Sequence, residues 1–371
     1  MKNLKRVLAM LLVAVLLFSF AGCHKKDEIA VTVGDVKFTS AYYMCALMSA
    51  DGEAKTKVDE KLAEKEDSDS TSTEEVDYYS QKIDGKKYEE WVEERAIEML
   101  KEIAAYKILC KENKLEIDKE TASSAEMYAS YYWSSYGYGA YYEPNGVGQA
   151  TYTNFMKDSY YSELYFEHLY GKEGEKALAE DKVKSTIYDN FIIANVLEGA
   201  ITSEMKDADK TALKTKFDGY LADLKAGKKT FEEIYKTHNN IKDEEEKKEE
   251  TTEDKTDEEK PAEPKDKYAT ILGAKETTYE SEHYDTVKAM ATGEIKLIEK
   301  EDKSGYVLVV KQDIKADEYY LENLDSTARH MLADEEYEKT IADYVKGLKA
   351  EINKYATGQF KVKKIVEPTY N

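Results

Sequence analysis

Three cysteines and five histidines are the side chains best able to act as nucleophiles, general bases or metal ligands in this chain. His24, His168, His238, His283 and His330 are scattered singly. No Cys-x-x-Cys, His-Glu-x-x-His or Cys/His cluster brings ligands to metal-binding spacing, so neither a metal nor another cofactor is expected. Cys23 stands apart by its neighbours. It follows Phe20-Ala21-Gly22, which close an apolar run, and a thiol placed there suits covalent processing. Cys110 continues a helical apolar stripe, so two buried thiols at Cys45 and Cys110 are favoured over a disulfide, although spacing leaves the pairing open.

The run before Cys23 explains the processing. Met1 to Arg6 is positively charged, and Val7 to Phe20 is apolar but short for a membrane span. Phe20-Ala21-Gly22-Cys23 resembles a bacterial lipobox, with Phe20 where that pattern prefers leucine. The expectation is a lipoprotein signal peptide at 1–22, a lipid on Cys23, and a spacer over 23–27. The remainder would lie on the outer face of the bacterial cytoplasmic membrane. An uncleaved anchor is the alternative, and it places the protein on the same side.

Of the 371 residues, 42% are hydrophobic and 35% charged, which fits helices with wide solvated faces around an adequate core. Four prolines and 18 glycines agree with long helices. The net charge of -22 argues against nucleic acid, which needs a basic footprint.

The elements that must position any site can then be read in order. Ile29 to Phe38 alternates around Gly34-Asp35, a strand and turn leading to Thr39 or Ser40 as a helix cap. A polar surface loop is expected over 53–87. Tyr88 to Asn113 is the clearest helix, with Val92, Ala96, Met99, Ile103, Tyr106 and Cys110 on one stripe, widened by Ile97, Leu100, Ala104 and Ile108. Asp118 is placed to cap the next helix, and further helices are expected over 151–169 and 176–193. Val196 to Thr202 reads as a short strand, Lys210 to Ala226 as a helix ending at Gly227, and Thr230 as the start of another. An acidic stretch over 242–267 is almost without apolar residues and reads as disordered. Ile295 to Ile298 and "SGYVLVVK" at 304–311 read as strands, and 318–354 as a long helix. Phe360 to Val366 alternates like an edge strand able to pair with Ile29–Val33.

Residues 131–146, "YYWSSYGYGAYYEPNG", combine seven aromatic rings with turn-forming glycines. Tyr131, Tyr132, Trp133, Tyr136, Tyr138, Tyr141 and Tyr142 are candidates for binding a polypeptide or a glycan. An aromatic-packed connection between helices is the plainer reading, since the chain holds 31 tyrosines.

The order of segments resembles PrsA/SurA-type extracytoplasmic foldases. "VTVGDVKFTSAYY" is similar to that family's opening strand, turn and helix, and "YSELYFEHLYGKEGEKALAEDKVKSTIYDNF" to its helical run before the isomerase domain. "YLADLKAGKKTFEEIYKTHN" and "VKAMATGEIKLIEKEDKSGYVLVVK" resemble parts of a parvulin, a prolyl isomerase domain. "EKTIADYVKGLKAEINKY" and "FKVKKIV" resemble the returning C-terminal helix and strand. The resemblance implies a mainly helical α+β fold: a discontinuous helical chaperone domain over 28–195 and 318–371, interrupted by a small parvulin-like α/β domain over 196–317.

It also implies unfolded or partly folded exported polypeptides as partners, and catalysis of the slow cis/trans isomerisation before proline. Parvulins place two histidines on neighbouring central strands, the last in a Gly-aromatic-His run. Here Gly305-Tyr306 is followed by Val307, and the first strand, "VLEGAIT", has no histidine either. The catalytic residues do not carry over. Tyr306, Met290 and Val307 remain candidates for a proline pocket, with plain core packing as the alternative. Three functions compete: a lipid-anchored chaperone with a degenerate isomerase domain, an active isomerase, and a surface lipoprotein that binds glycan or a dedicated partner.

Overall fold

The computed structural model describes residues 28–63, 76–241 and 263–367. The protein is mainly helical with small antiparallel sheets, and it divides into one unit of residues up to 176 together with 335 onwards, and a second of 177–334. Cys23, the signal segment and most of the acidic stretch lie outside the described residues. Among the described residues no helix is long and apolar enough to cross a membrane.

The first unit opens with β1 (Ile29–Val33) and β2 (Val36–Thr39), an antiparallel pair joined at Gly34, whose φ of +60° favours glycine. The Thr39 hydroxyl accepts from the Tyr42 N–H at 3.3 Å as the chain enters α1 (Ser40–Ala63). This helix runs well into the region expected to be a polar loop. Its first turns, Ser40 to Met48, are buried all round, and beyond them Ala50, Ala54 and Val58 recur every four residues as a narrow buried stripe on an otherwise polar helix. A two-stranded hairpin, β3 (Lys82–Ile83) and β4 (Lys86–Lys87), further replaces that loop.

Next comes α2 (Tyr88–Glu112), as expected, but its buried line is Tyr88, Val92, Ala96, Leu100 and Ala104, while Met99, Ile103 and Tyr106 sit at the margin. Helices α3 (Lys119–Ser135), α4 (Tyr138–Tyr142), α5 (Gln149–Asp158) and α6 (Tyr160–Tyr170) follow. Asp118 caps α3 by accepting from the Thr121 N–H at 2.8 Å. Both remaining cysteines are free and buried.

The second unit starts with α7 (Glu180–Asn190) and β5 (Phe191–Ala200). The strand begins earlier than its sequence suggests, because Phe191, Ile192 and Ile193 are buried on both faces and such a run reads equally as helix. Then come α8 (Asp207–Lys225), α9 (Phe231–His238), β6 (Ala269–Gly273), α10 (Tyr284–Lys288), β7 (Ile295–Glu299) and β8 (Gly305–Lys311). The four strands are antiparallel in the order β6-β5-β8-β7, so β5 and β8 are the central pair. Gly227 at φ +62° ends the turn after α8, and a capping box between Thr230 and Glu233 starts α9.

Helix α11 (Glu318–Gly347) contributes its earlier residues to the second unit and its last turns to the first. It stops short of the expected 354. β9 (Ala350–Ile352) then pairs with β1 to complete a sheet ordered β2-β1-β9. The expected strand over 360–366 is not one. After α12 (Lys354–Thr357), Val362 and Ile365 plug the core beside a single 3-10 turn. The two ends of the described chain do meet in one sheet, but through β9.

Candidate functional site

The two faces of the β5/β8 pair decide what the second unit offers. Side chains alternate along β8, so neighbours Tyr306 and Val307 lie on opposite faces. Val307 is fully buried with Val309, Ile192 and Ala194, beneath Tyr284, Val287 and Met290 from α10 and the residues after it. Tyr306 packs on the other side with Leu197, Leu308 and Phe217 of α8. Tyr306, Met290 and Val307 therefore do not line one proline pocket. Met290 and Val307 share a core layer and Tyr306 belongs to another.

Polar groups gather at the rim of the Val307 face. Glu198 stands opposite Val307 in the β5/β8 register. Lys300 bridges Glu198 at 2.9 Å and Glu282 at 3.2 Å, and the His283 Nε2 lies 3.4 Å from Glu282. The two carboxylates share the one Lys300 ammonium, and among the described residues the His283 Nε2 is buried there without a hydrogen-bond partner. His238 lies on the opposite face, against Phe217 and Tyr220, where burial first and then the Lys216 charge lower its pKa.

The tyrosine-rich segment divides in two. Tyr142 is buried and packs at a tilt against Tyr152, ring centres 4.9 Å apart, and Tyr132, Trp133 and Tyr141 are partly buried against the same core. A Cβ at Gly139 would lie 2.9 Å from the Trp133 indole nitrogen, so a glycine lets the chain pass the ring. Those four residues form the packed connection. Tyr131, Tyr136 and Tyr138 are instead exposed at 52%, 61% and 39%. Met127 and Tyr128 extend this outer face of α3 and were not singled out in the sequence. Their spacing from Tyr131, with Ala125 and Ala129 buried opposite, is the signal that identifies them.

A cavity of about 760 Å³ in the first unit carries groups that no motif marks. Its wall holds Asp158, which accepts from the Tyr42 hydroxyl at 2.7 Å and from the Lys107 Nζ at 2.8 Å. The Lys107 ammonium also sits 5.5 Å from the centre of the Tyr161 ring. Burial, followed by the Asp158 charge, pushes the Tyr42 phenol far up, so it stays a donor. Tyr42 and Asp158 are 116 residues apart, and nothing local in the sequence joins them.

No protein-family model matches the chain, and no curated protein matches it. Among solved structures, the crystal structure of the foldase protein PrsA from Lactococcus lactis is similar, at 15% identity and a TM-score of 0.39. The match covers 72% of this chain and 89% of that one. Among the described residues no group of three or more His, Cys, Asp or Glu side chains is arranged to hold a metal ion.

Proposed function

We propose that this protein is a lipid-anchored extracytoplasmic foldase that acts by holding unfolded or partly folded exported polypeptides. Its helical parts form one discontinuous chaperone domain, and the sheet unit is a parvulin-like domain with weak or no isomerase activity. The observation that carries this reading is Val307, fully buried under α10 where the resembling strand would carry a histidine. Chemistry at a prolyl bond needs an open pocket, and Val287, Met290, Val307 and Val309 close the floor of this face with apolar packing. The sequence order of segments supports the family, the Phe20–Cys23 run supports the anchor, and the exposed Tyr131, Tyr136 and Tyr138 supply apolar contact with polar tips.

A chain lacking residues 1–23 should suppress the aggregation of a reduced, unfolded exported protein while leaving prolyl isomerisation in a protease-coupled peptide assay at the uncatalysed rate. No effect on aggregation would overturn the chaperone reading. A rate clearly above background would replace it with an active isomerase.

A further inference from the structure

The cavity of about 760 Å³ beside Asp158 lies wholly within the first unit, where β2, α1, α2, α3, α5 and α6 each contribute to its wall. That size falls inside the range of small-molecule sites, about 300–1,000 Å³. Most such sites are apolar, whereas this one is polar and its charges balance. Lys37, Lys107 and Lys157 stand against Glu116 and Asp158, and Lys157 is already paired with Glu126 at 2.8 Å. Lys107 is held by Asp158. That leaves Lys37 and Glu116, one charge of each sign, both exposed. An anion entering the cavity meets Asp158 and Glu116, and a cation meets the lysines, so neither sign is selected. An apolar ligand would strip water from all these groups and return no hydrogen bond.

The hydrogen-bonding capacity left over is mixed in the same way. An ammonium carries three donors, and Lys107 turns towards the two Asp158 oxygens, 2.8 Å from each, which leaves one donor over. The Tyr42 hydroxyl donates to Asp158 and keeps its oxygen able to accept. The Thr39 hydroxyl accepts from the Tyr42 N–H and keeps its own proton to donate. Thr151 and Asn154 also line the cavity, and their side chains make no hydrogen bond among the described residues. Asp158 and Tyr42 are both buried and hold each other in place, so this part of the wall is set before any ligand arrives. Tyr161 and Ile117, each half-buried, add apolar surface beside it.

We propose that this cavity binds an uncharged polyhydroxylated ligand, an oligosaccharide. Each sugar hydroxyl both donates and accepts, so it satisfies the two kinds of group in this wall at once. The C–H face of a sugar ring rests on Tyr161 and Ile117, and the absence of net charge matches the balanced lining. The site lies apart from the exposed tyrosines of α3 and from the sheet unit, and it stands whether or not the chain holds unfolded clients.

Titration calorimetry of the full chain tests it with trisaccharides of different charge: cellotriose and the N-acetylglucosamine trimer, both neutral, the cationic glucosamine trimer and the anionic galacturonic acid trimer. A neutral trimer is expected to bind saturably, about tenfold or more tighter than either charged one, with an affinity that added salt does not weaken. The double variant T151V/N154A should bind it about tenfold more weakly, because two hydrogen bonds are lost. Its melting temperature should match the wild type, since those side chains hold nothing else among the described residues. No saturable binding of either neutral trimer, equal or tighter binding of a charged one, an affinity that falls with salt, or unchanged affinity in T151V/N154A would overturn the proposal.

Discussion

At the scale of single residues, this protein stores much of its core in tyrosine. Tyr42, Tyr43, Tyr88, Tyr142, Tyr152 and Tyr337 are all buried. Burial raises their phenols, with Tyr152 pushed up to about 12. The unfolded chain ionises its tyrosines near pH 10, while the folded chain keeps these protonated. Above that pH the folded state binds more protons, so stability falls as pH rises. The stability is fully present below about pH 10 and is lost progressively as pH climbs through the raised values. Thermal melts from pH 8 upward should show a steep decline beginning near pH 10, and Tyr88→Phe should blunt it. Tyr88 is apt because its hydroxyl, bonded to Asp51 at 2.8 Å, resists ionisation beside that carboxylate. A flat melting temperature to pH 12 would show that these rings are not held as described. Local residue roles were legible in the sequence, as with Asp118 and Thr230, because a cap and its target lie three residues apart. The Tyr42–Asp158–Lys107 group was not, since folding alone brings it together.

At the scale of elements, the central pair of the second sheet depends on two glycines. A Cβ on Gly305 would meet the Gly199 carbonyl oxygen at 2.4 Å, and one on Gly199 would meet the Phe217 ring at 2.4 Å. The first obstacle is backbone and cannot rotate away, while the second is a fully buried ring in a packed layer. Gly305→Ala should cost about 1–3 kcal/mol by overpacking, and denaturant unfolding of the second unit measures it. Loss below about 0.5 kcal/mol would mean the strands can separate locally at no cost. The "SGYVLVVK" strand was readable because apolar residues run without a break between turns. The start of β5 was not, because the short apolar run Phe191-Ile192-Ile193 reads equally as helix or strand. β9 was missed for the opposite reason. Three residues, Ala350–Ile352, are too short to show a period, and Leu348 and Ile352 continue the stripe of α11.

At the scale of the whole molecule, each unit has its own core. One gathers Val31, Leu47, Val92 and Leu100, and the others gather around β5 and β8. The C-terminal segment belongs to the first alone. Ala356, Val362 and Ile365 are buried there, and the Asn145 side chain bonds both the N–H and the carbonyl of Val366, at 2.9 and 3.0 Å. Removing everything after Gly347 also strips β9 from β1. Each fully buried Val or Ile contributes about 1.5–3 kcal/mol, so the loss is a large share of a typical domain's stability. Calorimetry of the full chain should resolve two transitions, since chains with separate cores depart from two-state unfolding. In the chain ending at Gly347, the transition of the first unit should vanish or move to much lower temperature. The transition of the second unit should keep its midpoint, and Gly305→Ala should lower that transition alone. A single transition lowered equally by truncation and by Gly305→Ala would mean that the two cores unfold as one.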